Sequence, residues 1–172
     1  LLIMSASEAY FLRAEGALKN WNMNGNAKEF YEKGVTVSME ERGVSVGNYL
    51  YDRYSTPADY VDPTDSGKNS AAVSNITPAY DESAGDAANL ERILVQKWIA
   101  NFPNGWETWA DIRRTGYPKH FPIVNNLNTD GVTIERGMRR LPYPQSEYNT
   151  NRANVEAAVS MLGGADNSAT DL

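Results

Sequence analysis

The sequence predicts a mainly α fold: a tetratricopeptide-like helix pair, then a loop-rich helical C-terminal region, with little or no β-sheet. Three observations predict it. Two amphipathic stripes, over 6–21 and 26–43, are joined by a link so short that the helices must be antiparallel neighbours. Two more helical stretches, 86–101 and 104–116, flank the turn Pro103-Asn104-Gly105. The one strand-like run, Val132-Thr133-Ile134, has too little around it to make a sheet.

The first helix opens on Ser5-Ala6-Ser7-Glu8, which reads as a capping box. Behind it Ala6, Tyr10, Ala14, Ala17, Leu18 and Trp21 share a face, and Asn22, Asn24 and Gly25 end the helix. Asn26, with Glu29 three residues on, opens the second helix. Its stripe is Ala27, Phe30, Tyr31, Gly34, Val35 and Ser38, and Gly43 suits the residue after its end. Phe11, Ala14, Glu15 and Leu18 on the first helix, with Ala27, Tyr31 and Gly34 on the second, follow tetratricopeptide spacing, although Glu15 departs from the usual small residue. One such unit alone cannot bury both its faces.

Residues 44–88 are rich in Ser, Asp, Asn, Gly and Pro and read as a long irregular loop. The loop carries Tyr49, Tyr51, Tyr54, Tyr60 and Tyr80, which either pin it to the helices or stack on sugar rings. Asp86 is placed to cap the third helix, whose apolar residues Leu90, Ile93, Leu94, Val95, Trp98 and Ile99 cover most of its surface. Asn104 is placed to cap the fourth, where Trp106, Trp109, Ala110 and Arg113 share a face. Helical spacing therefore assigns Trp98, Trp106 and Trp109 to structural core. Gly116 and Pro118 stop that helix, and Leu141-Pro142-Tyr143-Pro144 must be extended. Asn151 is placed to cap a last helix, and 165–172 reads as a flexible polar tail.

At 172 residues, 41% hydrophobic and 22% charged, the chain suits one domain over 1–172. A net charge of −6 argues against nucleic acid; Arg136, Arg139 and Arg140, with Arg113 and Arg114 upstream, are too few for a footprint. With no cysteine, disulfides, thiol catalysis and thiolate metal sites are excluded. No apolar run reaches the roughly 18 to 20 residues that span a bilayer. The opening Leu1-Leu2-Ile3-Met4 has no basic flank or cleavage pattern and reads as a segment entered mid-fold, so the chain is expected to be a piece of a longer protein.

Chemistry-bearing constellations are weak. His120 has no serine or cysteine in a nucleophile setting near it. Glu107 and Asp111 sit one helical turn apart beside Arg113 and Arg114, which makes ion pairing the simplest reading. Asp59, Asp62, Asp65 and Gly67 resemble a loose oxygen-ligand loop without the spacing or closing Glu of a calcium hand, so no metal is assigned. No phosphate-cradling or dinucleotide glycine pattern occurs, and no cofactor is expected.

The blocks EAYFLRAEGAL, GNAKEFYEKGV, QKWIANFPNGWETWADIRRTGYP, RRLPYPQSEYNTN and LGG, in that order, resemble the C-terminal part of the SusD/RagB family of outer-membrane nutrient-binding lipoproteins of Bacteroidetes. The resemblance implies a non-enzymatic, glycan- or nutrient-binding component of a cell-surface polysaccharide uptake system. Its partners would be an oligosaccharide or other nutrient and a TonB-dependent SusC-like transporter, on the extracellular face of the outer membrane. Membrane attachment would run only through an N-terminal lipid anchor absent from this chain. The matching blocks are structural, so no binding residue carries over; Tyr51, Tyr54 and Tyr60 in the variable loop are the remaining ligand-binding candidates. The alternative is a helical-repeat scaffold that binds a protein partner.

Overall fold

The computed structural model describes residues 4–133, 135 and 137–171. Among them are six α-helices: α1 Ala6–Leu18, α2 Ala27–Glu41, α3 Asp86–Asn101, α4 Gly105–Thr115, α5 Gln145–Thr150 and α6 Arg152–Ser160. Two single 3-10 turns, Tyr49–Tyr51 and Ser66–Lys68, interrupt the long loop. No strand occurs among the described residues; Tyr60 and Ser70 form an isolated antiparallel bridge. Val132 and Thr133 are irregular, and Ile134 of the expected short strand lies outside the described residues. The chain divides into two compact units, Leu1–His120 and Phe121–Leu172.

The first unit is built on the α1–α2 pair. Ala6 N and Ser7 Oγ at the start of α1 donate to the Glu41 carboxylate at the end of α2, at 3.2 and 2.9 Å, so the helices run antiparallel. Asn26 and Glu29 form the expected capping box. At α1 half of the expected box is present: Ser5 Oγ accepts from Glu8 N at 3.1 Å. The Glu8 carboxylate instead turns to α3, where Asn101 Nδ2 donates to it at 3.0 Å. Close approach of the pair rests on Gly34, where an added Cβ would stand 2.9 Å from the Phe11 ring. Phe11, Ala14, Phe30, Tyr31, Val35, Tyr80, Ile93 and Ala100 form the buried cluster. Tyr31 is packed against both Phe11 and Tyr80.

Helix α3 departs from the expected orientation in part. Its buried residues are Asn89, Glu91, Arg92, Ile93, Leu94, Gln96, Lys97 and Ala100: Ile93 and Leu94 are buried as expected, but the rest of this stripe is mostly polar. Trp98 and Ile99 lie off that stripe and are 49% and 48% exposed. Trp106, also expected in the core, is 69% exposed, and Trp109 is half-buried, edge-to-face with Trp106 at 5.9 Å. The core assignment of Trp98 and Trp106 is thus corrected for this chain. Periodicity extends the apolar inward face round to Trp98, whereas most of the inward positions hold polar groups whose hydrogen bonds are met inside the fold.

Those polar groups tie three helices together. Lys97, with a side chain 3% exposed, sits 2.9 Å from Asp111 Oδ2 on α4 and 3.7 Å from Glu8 Oε1 on α1. Arg114 pairs with Asp111 at 3.0 Å and grips both oxygens of Glu15, the second at 2.8 Å, while Lys19 reaches Glu15 at 2.7 Å. Burial raises the Glu15 pKa, but the hydrogen bonds from Arg114 and Lys19 outweigh it and hold the carboxyl below its ordinary value. Among the described residues, no buried side-chain nitrogen or oxygen lacks a partner.

Several helix ends differ from expectation. Asp86 is the first residue of α3 rather than its cap, since Gly85 occupies the N-cap with φ +80°. Neither Asn104 nor Asn151 caps through its side chain. Gly116 does close α4, at φ +80°, with its amide donating to Ile112 O.

In the second unit the Arg139-Arg140-Leu141-Pro142-Tyr143-Pro144 stretch forms a clasp. Arg139 N donates to Ser168 O at 2.8 Å. Asp166 accepts from Arg140, from Tyr143 N at 3.1 Å and from Tyr148 Oη at 2.7 Å. Within 165–172, expected to fray, Asp166 and Ser168 are held by these bonds, and Ser168 is 4% exposed. Helix α5 is absent from the sequence reading; it follows Pro144, which stands extended at its N-cap.

Lys97→Met should destabilise the chain by about 3 to 5 kcal/mol, because Glu8 and Asp111 stay buried without their ammonium. Urea unfolding at neutral pH measures this. Glu15 has a lowered folded pKa, so its contribution is complete above its ordinary value of 4.5 and is lost as pH falls through the folded value. Stability should fall as pH drops from 4.5 through the folded value, and Glu15→Gln should flatten that limb of the profile.

Candidate functional site

The long loop is held against the helices mostly through its own backbone. Tyr31 Oη donates to Pro78 O at 2.6 Å, Arg92 Nε to Thr77 O at 3.0 Å, and Asn89 Nδ2 to Asp81 O at 2.9 Å. Burial pushes the Tyr31 hydroxyl well above its ordinary pKa, so it stays a donor. Two side-chain contacts add to the grip: Ser74 Oγ donates to Glu91 at 2.7 Å, and Gln96 Nε2 donates to Tyr49 Oη at 2.7 Å. Of the loop tyrosines, then, Tyr49 and Tyr80 serve as pins.

Tyr51 and Tyr54 do the opposite. Asp52 folds the chain sharply between them: its Oδ1 accepts from the amides of Tyr54 and Ser55, both at 2.9 Å, and its carbonyl accepts from Ala79 N at 2.9 Å. Tyr51 ends up 78% exposed and Tyr54 92%. A rigid turn thus presents two amphipathic rings to solvent, each with an apolar face and a hydroxyl.

Tyr60 lies further along, on the bridge to Ser70, and is 41% exposed. Its hydroxyl donates to Asp62 Oδ2 at 3.0 Å, which raises the tyrosine pKa. Asp62 Oδ1 accepts from Thr64 N, Thr64 Oγ1 and Asp65 N at 2.8 to 2.9 Å. These bonds, led by those from Thr64, pull the Asp62 pKa down to about 2. Asp59 accepts from Ala72 N and Asp65 from Gly67 N. The carboxylates that resembled a cation loop are therefore engaged by their own backbone, and no group of three or more metal-capable side chains occurs among the described residues.

Beside the loop lies a groove of about 340 Å³ lined by Tyr49, Ser55, Thr56, Thr77 and Trp98, among others. Tyr51, Tyr54 and Tyr60 are not part of its lining. Trp98 is a candidate that helical spacing missed, because it read the residue as core. Of the carboxylate pair considered for acid–base work, Asp111 is spent on Lys97 and Arg114. Arg113 lies over the Trp109 ring at 4.5 Å.

The described residues thus combine a repeat-like helix pair with aromatics displayed on a fastened loop. Over residues 1–172 the sequence matches the SusD-like family model, described as Susd and RagB outer membrane lipoprotein. A solved SusD-like protein from Bacteroides thetaiotaomicron is 54% identical over 99% of this chain and 36% of its own, with a TM-score of 0.94. A chitin-binding SusD homologue from Flavobacterium johnsoniae is 49% identical, with the same coverages and TM-score. A SusD homologue from Bacteroides uniformis is also 49% identical, over 100% of this chain and 36% of its own, with a TM-score of 0.94. No curated protein matches the chain. The chain belongs to the SusD-like family, and it spans about a third of the length of these solved relatives. The family is one of outer-membrane lipoproteins, although no helix among the described residues is long and apolar enough to cross a membrane.

Asp62→Asn should bring the Tyr60 hydroxyl back down toward its ordinary pKa of 10.0. A tyrosine-resolved NMR titration reads this directly, and an unchanged Tyr60 would show that Asp62 does not set its hydroxyl.

Proposed function

We propose that these residues belong to the glycan- or nutrient-binding component of a cell-surface polysaccharide uptake system. In this reading the protein is not an enzyme. It works with a TonB-dependent SusC-like transporter on the extracellular face of the outer membrane, held there by a lipid anchor outside these residues. Family membership over the whole chain carries the reading, and a chitin-binding homologue at 49% identity supports a carbohydrate ligand.

Within this chain, Tyr51, Tyr54 and Tyr60 are the proposed ligand contacts. A pyranose presents a face of C–H groups to an aromatic ring and hydroxyls at its rim, and an exposed tyrosine answers both. The Asp52 turn and the Asp62 bonds hold this part of the loop in shape before a sugar arrives, which lowers the ordering cost of binding.

Calorimetry of the natural gene product against chitin oligosaccharides and a panel of other oligosaccharides tests the proposal. The triple change Tyr51→Ala, Tyr54→Ala, Tyr60→Ala should weaken the binding found by roughly tenfold or more, about 1.4 kcal/mol, with the thermal midpoint unmoved. Full binding by the triple variant would remove these tyrosines from the site. A gene product that binds no glycan and copurifies with no transporter would remove the function.

A further inference from the structure

Helix α1 ends in a left-handed turn made by an asparagine. Asn20 stands at φ +61°, Trp21 N donates to Gly16 O at 2.9 Å, and Asn20 N donates to Ala17 O at 3.0 Å. This nested pair of bonds fixes the backbone of Trp21, two places past the C-cap Lys19. One edge of the Trp21 ring lies over Gly16, where an added Cβ would stand 3.4 Å from it, yet the residue is 62% exposed. A large aromatic ring is thus held in one orientation and left open to solvent.

Trp21 lines a depression of about 390 Å³ between α1 and α4, within the roughly 300 to 1,000 Å³ of small-molecule sites. Its charged lining is three cations, Lys19, Lys97 and Arg114, and three carboxylates, Glu15, Glu107 and Asp111, which cancel. Lys19 and Arg114 bind Glu15 and Asp111, but their side chains are 39% and 44% exposed, and an ammonium carries three N–H groups and a guanidinium five. Both therefore keep N–H groups for a ligand. Glu107, exposed on the first turn of α4, makes no side-chain hydrogen bond or ion pair among the described residues.

Spare donors, a spare acceptor and an aromatic face, with no net charge, match a neutral pyranose, whose hydroxyls both donate and accept. An anionic ligand would be repelled by Glu107, and a cationic one by Lys19, whose Nζ lies 5.7 Å from the Trp21 ring centroid. We infer that this depression is a carbohydrate subsite for one neutral pyranose unit of an oligosaccharide. The sugar face lies on Trp21, and the hydroxyls accept from Lys19 and Arg114 and donate to Glu107. For its ligand class the inference rests on the carbohydrate reading above, but the place is a different one, since none of Tyr51, Tyr54 and Tyr60 lines it. The turn that holds Trp21 and the grip of Arg114 on Glu15 are set before a sugar arrives, so little ordering cost remains.

The test is NMR of the natural gene product carrying Tyr51→Ala, Tyr54→Ala and Tyr60→Ala, with isotope-labelled tryptophan indoles. It is titrated with neutral oligosaccharides of chitin, cellulose and starch, then with a uronic-acid and an amino-sugar oligomer. Trp21→Phe assigns the Trp21 signal by its loss. That signal should shift saturably with at least one neutral oligosaccharide, and Glu107→Gln should weaken the binding it reports by roughly tenfold, with the thermal midpoint unmoved. A Trp21 signal that stays still while calorimetry of the unsubstituted protein finds glycan binding would overturn the subsite and leave the function standing. Binding of no sugar by either protein would remove both. A shift given only by the uronic-acid or amino-sugar oligomer, or an unchanged affinity in Glu107→Gln, would also overturn the subsite as assigned.

Discussion

A single ammonium group holds the first unit in register. Lys97 is nearly inaccessible, and its charge is tolerable inside the fold because Asp111 and Glu8 reach it from the helices on either side. An ion in that position demands partners at fixed distances, which an apolar contact does not. The consequence spreads outward. Asp111 is shared with Arg114, Arg114 with Glu15, and Glu15 with Lys19, so α1, α3 and α4 can meet only in one alignment. The apolar cluster around Tyr31 supplies much of the burial, while the charge relay fixes which way α3 turns its faces.

That relay marks the limit of what the sequence discloses. The α1–α2 pair is legible because its signals are local and agree: a polar cap, an acidic third position and a stripe at helical steps, all within one element. Gly116 is legible for the same reason. Helix α3 is not. Its inward stripe carries Asn89, Arg92, Gln96 and Lys97, which are tolerable inside only because Asp81 O, Thr77 O and Tyr49 Oη accept from the first three and Glu8 and Asp111 pair with the last, all from outside the helix. A periodicity argument has no access to those partners, so it turns Trp98 inward. The clasp at Asp166 is hidden likewise, since its bonds to Arg140, Tyr143 and Tyr148 cross about 20 residues of loop and helix.

The candidate site was half legible. Composition locates the long loop and its tyrosines, because the lack of a sustained period is itself a local signal. Sorting them is beyond composition. Tyr49 and Tyr80 differ from Tyr51 and Tyr54 only in what the folded helices place against them, Gln96 and Tyr31 in the first two cases and solvent in the others. The aspartates of the loop mislead in a related way. Their spacing suggests oxygen ligands, but short polar side chains in tight turns bind their own amides first.

The loop is gripped at the carbonyls of Thr77, Pro78 and Asp81. Every amino acid offers a carbonyl, so this fastening is indifferent to the side chains it holds. Residues along the excursion other than Tyr49, Ser74 and Tyr80 can be exchanged, and the tip rebuilt, while Tyr31, Asn89 and Arg92 keep the same hold on the main chain. The helices act as a socket into which different surface lettering can be set. The exposed surface of the loop can therefore drift over evolutionary time without any compensating change in the scaffold that displays it.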